Sequence, residues 1–72
     1  MTKAEIKQAD EKTLQKRWVE LMNDPEVYAP YLNHSRMEYL MIGVRLSILR
    51  GQNDEAIGYS CELYEQFGES IS

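Results

Sequence analysis

The chain has 72 residues, a formal net charge of −4 and one cysteine. A chain this short buries only about 60% of the surface its unfolded form exposes, so it is one marginally stable domain for which self-association or a partner is expected. One cysteine (Cys61) and one histidine (His34) exclude an internal disulfide or zinc staple and give no reason to expect a cofactor, and the excess of acids argues against binding the phosphates of nucleic acid.

The first element begins at Thr2-Lys3-Ala4-Glu5, which has capping-box spacing, and neither Gly nor Pro interrupts it before Asp24-Pro25. It reads as a helix over about 3–23, and its packed part is the second half. There Leu14, Trp18, Leu21 and Met22 share a face, while residues 3–13 offer only Ala4, Ile6 and Ala9. Lys16-Arg17-Trp18 places two bases beside an aromatic, but the bases diverge by about 100° on a helix and Glu20 is close, so it is a weak nucleic-acid signal.

A connector follows over 24–34. Asp24-Pro25-Glu26 looks like an N-cap with proline at the first helical position, and Pro30 stops anything longer than one short turn. Val27, Tyr28, Tyr31 and Leu32 make it too apolar for a free linker, so it is expected to lie across the bundle as part of the core.

The second helix is read over 35–50, opened by the capping-box pattern Ser35-Arg36-Met37-Glu38 and closed by Gly51. At about 100° per residue, Met37, Leu40, Met41, Val44 and Ile48 fall on one face and Tyr39, Ile42, Leu46 and Leu49 on the opposite one. Either both faces are covered by the other elements, or one is left for a twin or a partner. Gly43 and Ser47 form a small-residue strip that suits close packing, first of all within the monomer.

Asn53 or Asp54 can cap a third helix over 54–67, which ends before Gly68. Ala56, Ile57, Ser60, Cys61, Leu63, Tyr64 and Phe67 occupy one wide arc, with Asp54, Glu55, Glu62 and Glu65 opposite. Residues 51–72 contain five acids and no Lys or Arg, so a helix-turn-helix reading would give its recognition helix no base for phosphate or guanine. The acidic arc suits a solvated face or steering toward a basic partner. No strand pattern appears. The expected architecture is an all-α three-helix bundle with a C-terminal antiparallel helical hairpin.

The stretch Gly51-Gln52-Asn53-Asp54-Glu55-Ala56-Ile57-Gly58-Tyr59 resembles the turn and second helix of a tetratricopeptide repeat, with Gly51 at the turn and Ala56 at the close helix contact. In that register Gly43-Val44 replaces the expected Leu-Gly pair, Ser60 replaces a large aromatic, and there is no second copy. The resemblance implies a helical hairpin from Ser35 to Phe67.

No pattern carries recognisable chemistry. Glu62 and Glu65 are read as helix-surface carboxylates facing water rather than a buried acid–base pair, and Cys61 is expected to be a buried, inert thiol with His34 on the surface. A lone thiol and the absence of an N-terminal apolar run point to the cytoplasm. The longest apolar-rich stretch, Tyr39 to Leu49, contains Arg45 and is too short for a membrane span, which needs about 20 residues.

The expectation is therefore a non-enzymatic protein-binding regulator, inhibitor or adaptor, similar in size and acidity to small modulators encoded by bacteriophages and other mobile elements. Its interface candidates are Tyr28, Tyr31, Tyr39, Ile42, Leu46 and Leu49, with Glu62 and Glu65 addressing a basic surface. A homo-oligomer without another partner is the alternative, and a nucleic-acid-associated regulator is a weaker one.

Overall fold

The computed structural model describes residues 1–71. Among them are four α-helices and no strand: α1 (Lys3–Gln8), α2 (Glu11–Met22), a 3-10 turn (Pro25–Tyr28), α3 (His34–Leu49) and α4 (Asn53–Phe67). The chain is an all-α bundle, and α3 and α4 form its C-terminal hairpin.

The helix expected over 3–23 is two helices. Thr2 and Glu5 do form the capping box that starts α1. However, the backbone turns extended at Ala9 and Asp10, and the Asp10 carboxylate accepts the Thr13 N–H (2.8 Å) to cap α2. A side chain that supplies its own cap can restart a helix without Gly or Pro. The break lets Ile6 and Leu14 both reach the core, where each is fully buried.

Asp24 caps the 3-10 turn through the Glu26 N–H, with Pro25 at its first position. Only Val27 of the connector enters the core; Tyr28, Tyr31 and Leu32 point outward, contrary to the expectation that this segment packs inside. The segment is nonetheless pinned. Asn33 donates to the carbonyls of Glu26 and Tyr31, and the Tyr28 and Tyr31 hydroxyls donate to the Met22 carbonyl and the Glu26 carboxylate.

The cap of α3 is Asn33, which accepts the Arg36 N–H at 2.9 Å, rather than Ser35. Ser35 donates instead to Asp24, and Glu38 is drawn away by ionic partners. At the other end Gly51 adopts φ +71°, and the Gly51 and Gln52 N–H groups return to the Ile48 and Ser47 carbonyls, a complete Schellman turn. For α4, Gln52 is the cap residue and no side-chain cap forms, so neither Asn53 nor Asp54 plays that part.

Helix α3 is the centre of the bundle. It contacts α4, α2, α1 and the 3-10 turn, and it alone contributes Leu40, Met41, Ile42, Val44 and Leu46 to the buried set. This explains its two apolar faces, since a helix flanked on both sides needs a buried surface on each.

Candidate docking face

The face of α3 expected to offer an interface is largely occupied. Ile42 is fully buried, Leu46 is 4% exposed and Tyr39 is half-buried, so these three candidates belong to the monomer's core; only Leu49 remains exposed. Helix α2 covers this side. Trp18 stacks on Tyr39 with ring centroids 4.2 Å apart, and Tyr59 from α4 meets both rings edge-on.

Ionic contacts hold α2 in register with α3. Arg17 donates Nε and Nη2 to the two carboxylate oxygens of Glu38 at 2.6 and 3.0 Å, and the N-terminal ammonium reaches the same carboxylate at 2.7 Å. A fork-to-fork pair of this kind fixes direction as well as distance. Farther along, Arg50 contacts Gln15 and Glu11 of α2.

An exposed apolar surface lies on the opposite side, along the seam between α3 and α4. The apolar arc of α4 is wider than α3 can cover. Ala56 and Leu63 are buried, but Ile57 is 61% exposed, Tyr64 is 69% exposed and Cys61 is exposed. The thiol is therefore accessible, a correction to its expected burial. Ile57, Cys61 and Tyr64 recur at spacings of four and three, which sets them on one stripe of the helix.

Across the seam, Val44 is buried and Ile48 is 47% exposed. Together with Ala56, Ile57, Ser60 and Ile71 they line a groove of about 450 Å³. Asp54 and Glu65 fall on the outer flank of the Ile57 stripe at helical spacing, and both are exposed. Of the two acids expected to address a basic partner, Glu65 is exposed on that flank, whereas Glu62 pairs with Arg36 (3.5 Å) within the molecule.

The interface candidates Tyr28 and Tyr31 are exposed, but they lie on the 3-10 turn and the loop after it, on a different segment from this groove. The groove residues Val44, Ile48 and Ile57 were not singled out as interface candidates. Their signal was the width of the α4 arc, which exceeds what one neighbouring helix can bury.

Among the described residues no cluster of three or more His, Cys, Asp or Glu could hold a metal ion, and no helix is long and apolar enough to cross a membrane. The fold and the groove define a small helical bundle with an open apolar seam. No protein-family model, curated protein or solved structure matches the chain.

Proposed function

We propose that this chain is a non-enzymatic protein-binding regulator or adaptor that receives an apolar, basic-flanked helical segment of another protein in the α3–α4 groove. The observation that carries the reading is the contiguity of Ile48, Ile57 and the groove they share, an apolar surface left partly uncovered in a chain too small to waste burial. The occupant's charge follows from the rim. On the α4 side Asp54 and Glu65 border the stripe and no Lys or Arg occurs from residue 51 onward, while Arg45 adjoins Val44 and Ile48 on the α3 side, so a partner that sets Lys or Arg against the α4 flank is favoured and one that sets acids there is repelled. The lone, unpaired thiol of Cys61 supports a reducing compartment, and we place this activity in the cytoplasm.

The test uses two synthetic amphipathic peptides with the same leucine face, one flanked by lysines and one by glutamates, titrated into the isotope-labelled chain. The lysine peptide should shift the methyl signals of Val44, Ile48 and Ile57, and the glutamate peptide should not. Ile57→Glu separates apolar docking from charge attraction, because it adds another negative charge yet removes the anchor. Loss of about tenfold or more in affinity supports the groove, by the ordinary worth of one well-buried aliphatic side chain. Unchanged or tighter binding by that variant would show that the peptide merely adheres to an acidic surface. A second copy of the chain in the groove would instead appear as a mass that rises with concentration in the absence of peptide.

A further inference from the structure

One wall of the α3–α4 groove comes from the segment that follows α4. At Gly68 the backbone takes the left-handed conformation (φ +65°), the Gly68 N–H closes on the Tyr64 carbonyl, and the chain reverses. The segment after it returns alongside α4, so that Ser70 and Ile71 join Val44, Ile48, Ala56, Ile57 and Ser60 around the groove. Ile71 is half-buried and packs against the core cluster. Its contact is with the same surface to which a partner is assigned above, and much of the groove stays open around it.

Resting on that reading, we propose that Glu69–Ile71 is a strap that competes with the protein partner for the α3–α4 groove, with Ile71 standing in for the partner's apolar anchor. Three features suit the segment to this role. The glycine hinge allows the reversal without steric penalty. The strap lies beyond the end of α4 at Phe67 and the Gly68 cap, so it is not itself a helical turn. It also sets one branched aliphatic side chain, Ile71, against the groove, an apolar contact of the kind a partner would have to displace. A partner would then bind with an affinity reduced by the fraction of chains whose strap is closed.

The experiment compares the 72-residue chain with its Ile71→Ser variant, using the lysine-flanked leucine peptide as probe. The variant keeps the tail and removes its anchor, and it should bind the peptide about tenfold more tightly. In the unsubstituted chain, the Ile71 methyl signals should move toward their random-coil positions as peptide is added. Weaker binding by Ile71→Ser would overturn the strap, because Ile71 would then be part of the surface the peptide contacts. So would an Ile71 signal that stays put while the Ile57 signal shifts. If neither chain binds the peptide, the partner reading fails and the strap is judged by a hydrophobic dye. Ile71→Ser should raise dye fluorescence at unchanged helical circular dichroism, and no rise overturns the proposal.

Discussion

The six-membered ring of Trp18 on α2 fills the space that a side chain at position 43 of α3 would need. A Cβ on Gly43 would lie 2.7 Å from Cζ3 and 2.9 Å from Cη2 of Trp18, and 3.0 Å from Cγ of Tyr59. Two effects oppose each other in Gly43→Ala. Helix propensity favours alanine by about 1 kcal/mol, whereas forcing a methyl group against two rigid rings costs about 1–3 kcal/mol. The ring contacts should win, with a net loss of about 1 kcal/mol in urea unfolding and an altered Trp18 emission. A stabilised variant would show that the aromatic cluster gives way freely.

Leu46 and Ile57 make a paired test of which apolar surface is core. Leu46→Glu puts a carboxylate where a side chain is 4% exposed, adding the cost of a buried charge to the loss of a packed leucine, which alone is worth about 2–5 kcal/mol. A domain of this length has roughly 4–11 kcal/mol in all. The variant should therefore show no cooperative thermal transition. Ile57→Glu, on an exposed turn of α4, should remain within about 0.5 kcal/mol of the parent. Equal melting behaviour of the two would mean that α2 does not cover α3 as described.

The same pair shows how far the sequence could be read. The hairpin was legible because Gly51 and Gly68 terminate its helices in the left-handed conformation, a local requirement that depends on no other part of the chain. Periodicity also grouped Ile42 with Leu46 correctly. It could not say what covers them, because a shared face is a property of one helix and burial is a property of two. The stacking of Trp18 on Tyr39 settles that matter across 21 residues of sequence. The cap of α3 was misplaced for a similar reason. Asn33 and Ser35 both satisfy a local capping pattern, and the choice is made by Glu38, whose carboxylate is taken by Arg17. The restart at Asp10 had a local signal, since aspartate is a favoured N-cap residue, but the same preference at Asn53 and Asp54 produces no cap, so composition alone did not single it out.

The Glu38 carboxylate should leave a mark on acid stability. Burial pushes its pKa up, but the hydrogen bonds from Arg17 and from the N-terminal ammonium outweigh that and hold it below the ordinary 4.5. Between the folded and unfolded values the unfolded chain binds more protons, so this contribution is complete above about pH 5 and is lost as pH falls through the depressed folded value. Glu38→Gln should cost about 1–3 kcal/mol at neutral pH, because Arg17 loses a charged partner, and should flatten part of the acid limb of stability against pH. An unchanged acid limb, measured by urea unfolding from pH 3 to 7, would remove Glu38 from the account.

Tyr39 supplies the alkaline counterpart. Burial, followed by the neighbouring Tyr59, raises its pKa to about 12. Here the neutral form is favoured by folding, so the folded chain holds the proton longer and stability falls as pH rises from the unfolded value near 10 toward 12. Absorbance titration of the folded chain should show a tyrosinate step near pH 12 that Tyr39→Phe removes. If that step persists in the variant, another tyrosine accounts for it.

Cys61 provides a reporter on the proposed docking face that needs no substitution. Its thiol is exposed on α4, four residues after Ile57 and three before Tyr64, so it sits within the apolar stripe. A disulfide-exchange reagent should therefore label one thiol per chain without denaturant, at a rate independent of chain concentration. The lysine-flanked peptide should slow that labelling, and Ile57→Glu should restore it, since accessibility governs the rate when the thiol itself is unaltered. Labelling that becomes slower as the free chain is concentrated would point to a second copy covering the stripe. Labelling that the peptide leaves unchanged, at concentrations where the Ile57 methyl signal has shifted, would place the peptide in the groove but off the outer face of α4.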